Sequence, residues 1–246
     1  GGILGEQALR LVVMAFILTW SSYQSTRQII SSATDESIQH VVRSLKDKIR
    51  GILLPAGTQL ELLSYHQIVQ ATGLTERLRA VPMALAVLTA NPLMDAWYVG
   101  YADGDFVLFR LLRDPVLRQV LRAPPAAHLL VQAQTHRRDG ARQGEYLFYD
   151  QGGRLLRREQ HPAYDYDPRE RAWFVRAMQT REAIVTDPYF FYTTRQIGTT
   201  LARQVRDGHA VVGADATLQD LGREIVDLKI TQGSQVAIID KAGRAV

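Results

Sequence analysis

The sequence predicts an α+β fold: a long N-terminal helix followed by an antiparallel sheet flanked by helices. Three observations predict it. From Tyr23 to Leu54 there is no proline and a single glycine, Gly51, and the apolar residues recur at helical spacing. After Asn91-Pro92 the chain turns to short aromatic and β-branched runs. Several of those runs are joined by Asp-Gly or Gly-Gly pairs, whose tight turns make neighbouring strands antiparallel. Hairpins with helices outside them belong to an α+β architecture, not to a doubly wound parallel sheet.

At the N-terminus, Leu11–Leu18 (LVVMAFIL) is unbroken and apolar, with Arg10 before it and Thr19-Trp20 after it. A spanning helix needs about 20 apolar residues, so three readings are open: the outer end of a membrane helix, a signal-peptide core, or a buried helical turn. The helical pattern continues past the run, and Trp20 and Tyr23 suit a membrane interface, which favours the first. Residues 1–22 are therefore taken as the end of a membrane helix or signal-anchor, and 23–54 as a stalk helix. In that stalk Ile38, Val42, Leu45, Ile49 and Ile52 alternate by four and three, close to a coiled-coil seam, while Gln39, Arg43, Lys46 and Lys48 occupy the other face. The seam predicts a parallel homodimer through this helix. Pro55 and Gly57 end it.

Residues 55–230 form the main module. Two helical stretches are expected at Gln59–Ala71 and Thr75–Leu88, the second capped by Thr75 and kinked or broken at Pro82. Strands follow at Ala96–Ala102 and Asp105–Leu111 around Asp103-Gly104, then at His128–His136, Glu145–Tyr149 and Arg154–Glu159, the last two turning at Gly152-Gly153. A helix near Pro168–Thr180 precedes the pair Gly198–Arg206 and His209–Thr217, which turns at Asp207-Gly208. A helix near Leu218–Leu228 and a strand at Gln235–Asp240 come last, and residues 231–246 read as the start of a further module.

Composition removes several function classes. The 246 residues are 46% hydrophobic and 22% charged, which is ordinary for a globular chain. The net charge of +4 comes from scattered arginines rather than a basic stripe, which argues against nucleic acid as a partner. There is no cysteine, and none of the six histidines falls at zinc-ligand spacing. Neither a phosphate-binding loop, a dinucleotide fingerprint nor a nucleophile elbow is present. The segment is expected to be no enzyme and to hold no cofactor or metal.

The chemistry concentrates in Tyr164–Tyr192, YDYDPRERAWFVRAMQTREAIVTDPYFFY. Asp167, Pro168 and Glu170 are helix-start residues and need only a structural explanation. Arg171 then stands among Tyr166, Trp173 and Phe174, the way a small pocket grips a carboxylate against an apolar wall. Asp215 shares a strand face with Val211 and Gly213, and an acid there must be paired or functional. Arg171 and Trp173 lie about 200° apart on an ideal helix, so they share a site only if it sits over the helix start. The bland alternatives are an ion pair for Arg171 and Asp215, and core packing for Trp173 and Tyr189. Arg195 is a further candidate for an anionic contact.

The runs YDPRERAWFVRA, DPY, GTTLAR and VVGADATLQDL together resemble the distal, PAS-like module of double Cache domains, the extracytoplasmic sensors of bacterial transmembrane receptors. The long N-terminal helix fits that family too, and residues 231–246 would open its smaller membrane-proximal module. The resemblance implies a small-molecule sensor of a receptor in the bacterial inner membrane, with the sensor outside the cytoplasm. In the amino-acid-binding branch the pattern Y-x4-R-x-W-Y contacts the ligand carboxylate. Tyr166, Arg171 and Trp173 match it, while Phe174 lacks the last hydroxyl. The ligand amine would be met by Tyr189, by an aspartate two residues on, and by Asp215, but the middle position is Phe191. The resemblance therefore implies an intact carboxylate clamp and a depleted amine site. A protein-interaction module with a vestigial pocket, and more remotely a hydrolytic enzyme, are the other readings.

Overall fold

In the computed structural model, which describes residues 57–136, 140–217 and 219–220, nine strands among those residues form one antiparallel sheet. They are β1 (Ala96–Tyr101), β2 (Phe106–Leu111), β3 (Leu129–His136), β4 (Arg142–Tyr149), β5 (Leu155–Gln160), β6 (Ile184–Val185), β7 (Tyr189–Phe190), β8 (Ile197–Gln204) and β9 (Ala210–Thr217). Their order is β5-β4-β3-β2-β1-β9-β8-β6, with β7 also paired to β8. The first and last of these strands thus meet at the middle of the sheet. The expected α+β class and antiparallel hairpins are what the chain forms. Gly104, Gly153 and Gly208, at the three expected turns, all have positive φ.

Every residue of β1 and β2 is buried, because both faces of the central sheet are covered. On one face Trp97, Val99, Phe109 and Val131 pack against Leu60, Leu63, Ala84 and Leu88 from the helical segments before the sheet. On the other, Tyr98, Phe106, Leu130 and Phe148 pack against Trp173, Phe174 and Ala177. Each large apolar side chain so buried contributes about 1.5–3 kcal/mol.

The helices are shorter than the sequence predicts. Residues 57–63 are helical, but the expected stretch to Ala71 breaks, and a 3-10 turn spans Gln67–Gln70, capped by the His66 side chain accepting from the Ile68 amide. Thr75 is not a cap: α1 (Leu74–Arg77) begins after Gly73. A 3-10 turn, Leu78–Ala80, then leads into α2 (Val81–Ala90), with Pro82 in its first turn. Proline there breaks the preceding helix and starts a new one, where its missing N–H is no loss. The other helices are α3 (Pro115–Val120) and α4 (Ala172–Met178). No described helix is long and apolar enough to cross a membrane. The Leu11–Leu18 run, the 23–54 helix with its seam, all of the helix near Leu218–Leu228 but residues 219–220, and the strand Gln235–Asp240 lie outside the described residues.

Candidate ligand-binding site

The expected Pro168–Thr180 helix is two pieces. Asp167 accepts from the Arg169 amide at 3.0 Å and caps a 3-10 turn, Pro168–Glu170. Arg142 and Arg169 grip the same carboxylate at 2.6 and 2.7 Å, which fixes the turn. At Arg171 the backbone becomes extended, φ −95° and ψ 137°, and α4 starts at the next residue. Arg171 is therefore the cap of α4 and not part of it. The ideal-helix angle between them therefore does not apply: Trp173 is buried in the core, Arg171 lines the cavity, and both meet Tyr166.

A cavity of about 340 Å3 opens between α4, the β7 segment and the sheet. Of the residues singled out from sequence, Tyr166, Arg171, Tyr189, Phe191, Asp215 and Arg195 line it. Trp173 and Phe174 stand behind the wall. Trp173 is 1% exposed and its indole N–H donates to the Tyr166 hydroxyl at 3.0 Å, so it orients a lining residue. Phe174 packs edge-on against Trp173, with ring centroids 5.6 Å apart.

Arg171 lies over two tyrosine rings, 4.6 Å from the centre of Tyr166 and 5.2 Å from that of Tyr192. Its Nε is buried without a hydrogen-bond partner, and no carboxylate among the described residues pairs with it. Proteins rarely leave a buried guanidinium nitrogen unsatisfied, because the lost hydration costs about 1–3 kcal/mol.

Asp215 is 5% exposed, paired in register with Ala96 on β1 and Thr200 on β8. Its Oδ1 accepts from the Tyr98 hydroxyl at 2.7 Å and from Thr200 at 2.6 Å. With the Thr200 proton so used, the Tyr189 hydroxyl, 2.7 Å from Thr200, must be the donor there. Tyr98 reaches this spot because it crosses the sheet opposite Gly213, where any Cβ would overlap its ring. Burial pushes the Asp215 carboxyl up to about 6, with the Thr200 and Tyr98 hydrogen bonds and the nearby Arg110 opposing the rise. Burial, and then the Asp215 charge, raises the Tyr98 and Tyr189 hydroxyls as well, so both remain protonated donors.

Phe191, where the resemblance implies an amine-binding aspartate, is 2% exposed. Its ring covers Gly198, and a Cβ at Gly198 would overlap it, so the site is built around the phenyl group. The residues the sequence did not assign to the site are Tyr98, Phe106, Leu108, Arg110, Tyr164, Glu170, Ala172, Phe190, Tyr192 and Thr193 in the lining, with Thr200 behind. Arg110, 1% exposed, is neutralised by Asp95 at 3.0 Å and bonds Gln132 at 3.2 Å. Tyr98, Phe106 and Leu108 sit on central strands, where they read as core. Among the described residues no group of histidine, aspartate or glutamate side chains gathers as a metal site.

No family model matches the chain. Over 242 residues, 96% of its length, it is 26% identical to adenylate cyclase 1 of Rhizobium meliloti, and it spans 36% of that protein. A stretch of 77 residues, 31% of the chain, is 34% identical to the methyl-accepting chemotaxis protein McpB of Bacillus subtilis, covering 12% of it. Among solved structures, the sensory domain of the Campylobacter jejuni chemoreceptor Tlp3 matches with a TM-score of 0.54 at 13% identity, over 84% of this chain and 68% of that one. The ligand-binding domain of the Pseudomonas fluorescens chemoreceptor CtaA, in complex with L-serine, matches with a TM-score of 0.50 at 19% identity, over 82% and 66%. The chain has the fold of these chemoreceptor sensory domains, as the double Cache resemblance implied, and its structural neighbours are sensory rather than enzymatic.

Proposed function

We propose that this segment is the extracytoplasmic sensor of a bacterial transmembrane signalling receptor and that it binds a small carboxylate-bearing molecule in the cavity beside α4. The observation that carries this is Arg171, a guanidinium with a buried unpaired nitrogen, set between two tyrosine rings at a cavity wall. A carboxylate supplies both the missing charge and the missing acceptor. The amino-acid ligands of the similar chemoreceptor domains carry that same group. The N-terminal helix would join the sensor to the inner membrane and dimerise there, leaving the output domain elsewhere in the receptor. A periplasmic protein-interaction module is the rival reading, and an open cavity with an unmatched arginine counts against it.

The amine side of the site is poorer. An α-ammonium group would meet Asp215 as its carboxylate and the Phe191 ring where a second acid is expected. Losing one charge-assisted hydrogen bond costs about 1.5–3 kcal/mol, roughly ten- to a hundred-fold in affinity. Standard α-amino acids should therefore bind weakly and organic acids better. A thermal-shift screen of the twenty amino acids and a panel of carboxylates tests this, since a ligand of the folded state raises the melting temperature. Carboxylates should stabilise the chain, and Arg171→Met should abolish the shift. If no carboxylate stabilises the chain, the reading fails.

A further inference from the structure

The cavity holds a second unmatched cation. Arg195 lines it, and its guanidinium carbon is 6.0 Å from the centre of the Tyr192 ring, the same ring that Arg171 covers at 5.2 Å. No carboxylate among the described residues pairs with Arg195 either. Arg110, the other arginine of the lining, has Asp95. Two unpaired guanidinium groups around one ring repel each other, with Arg171 partly buried and Arg195 on the solvent side of the cavity.

The backbone gives a second, independent observation. Arg195 has φ +57°, one of two non-glycine residues with positive φ among the described residues. The turn that holds it is closed by the Arg195 amide on Phe191 O at 3.0 Å and the Phe191 amide on Gln196 O at 2.9 Å. An arginine gains nothing from a left-handed backbone, where glycine or asparagine is more comfortable. Strain of this kind gathers at ligand clamps.

We propose that the ligand is a dianion, a short dicarboxylate with one carboxylate on Arg171 and the other on Arg195. The proposal rests on the carboxylate reading of Arg171. Because both cations lie beside one tyrosine ring, short dicarboxylates of about four or five carbons are the first candidates. Its methylene groups would lie along the aromatic wall of Tyr166, Tyr192 and Phe191.

Titration calorimetry of the 246-residue chain with succinate and glutarate, beside butyrate and pentanoate, tests it. Each dicarboxylate should bind about ten- to a hundred-fold tighter than the monocarboxylate of equal length. Arg195→Met should bring that ratio close to one. Should the methionine variant not fold, Arg195→Asn, which tolerates the left-handed backbone, makes the same comparison. Equal binding of both classes to the unaltered chain, or a ratio untouched by either substitution, overturns the dianion and leaves the carboxylate reading standing. If neither class binds, both readings fall.

Discussion

Two arginines, one on each face of the sheet, look alike in sequence and differ in what meets them. Arg77 is 1% exposed, lies 3.8 Å over the Tyr101 ring, bonds Asp105 at 2.5 Å and donates from Nε to Ala71 O at 3.2 Å. Asp105 is in turn held by His136 at 2.8 Å. Arg171 has the same kind of aromatic seat, but nothing among the described residues answers its charge. A buried charge matched by the chain itself is architecture. On the proposed function, one that the chain leaves unmatched beside a cavity is there for a ligand.

The comparison is most exposed to failure at Arg77. Arg77→Met leaves Asp105 buried with less compensation, and breaking such a pair typically costs about 3–5 kcal/mol. Urea unfolding should show that loss, whereas Arg171→Met, which orphans no acid, should move stability by less than about 1 kcal/mol. Similar losses in the two variants would mean that Arg171 is a structural residue.

Asp215 gives an intermediate effect with a definite sign. Its folded value of about 6 lies above the ordinary 3.8, so between those values the folded chain binds more protons than the unfolded one. Stability contributed by this group is therefore present at acid pH and is lost as pH rises through that window. Asp215→Asn keeps an oxygen for Tyr98 and Thr200 while removing the buried charge. It should stabilise the protein at neutral pH by on the order of 2 kcal/mol and flatten the dependence between about pH 4 and 6. Melting temperatures across that range check it, and a variant that melts lower at neutral pH would show the ionised form to be favoured.

Arg195 has the smallest effect, and it is opposite in sign. Arg195→Gly relieves a left-handed backbone and should raise stability by about 1 kcal/mol, less what the freer unfolded chain takes back. Chemical denaturation reads this directly. A destabilised glycine variant would mean that the side chain makes contacts worth more than the strain.

Much of the sheet was legible because its punctuation is local. Asp103-Gly104, Gly152-Gly153 and Asp207-Gly208 force tight turns whatever surrounds them. The two-residue strands β6 and β7 carry no periodicity, and Gly144 hid the first part of β4. The helix break at Arg171 also escaped, because Asp-Pro-x-Glu signals a start without saying how far the first turn runs. In the site, Arg171 and Asp215 could be read as charges in apolar company. Arg110, a lone charge in FVLFRL, carries the same signal, whereas Tyr98 could not be read, since a tyrosine on a central strand has the pattern of its core residues. The importance of Tyr98 comes from register, which brings it over Gly213 and so onto Asp215.

The left-handed arginine also has a genetic side. Every arginine codon is a single base change from a glycine codon, and at position 195 that change would make the fold more comfortable. A population with no use for the guanidinium would meet the glycine variant repeatedly and have no structural reason to discard it. If Arg195 holds a ligand carboxylate as proposed, its work at the cavity opposes a drift that the backbone itself favours.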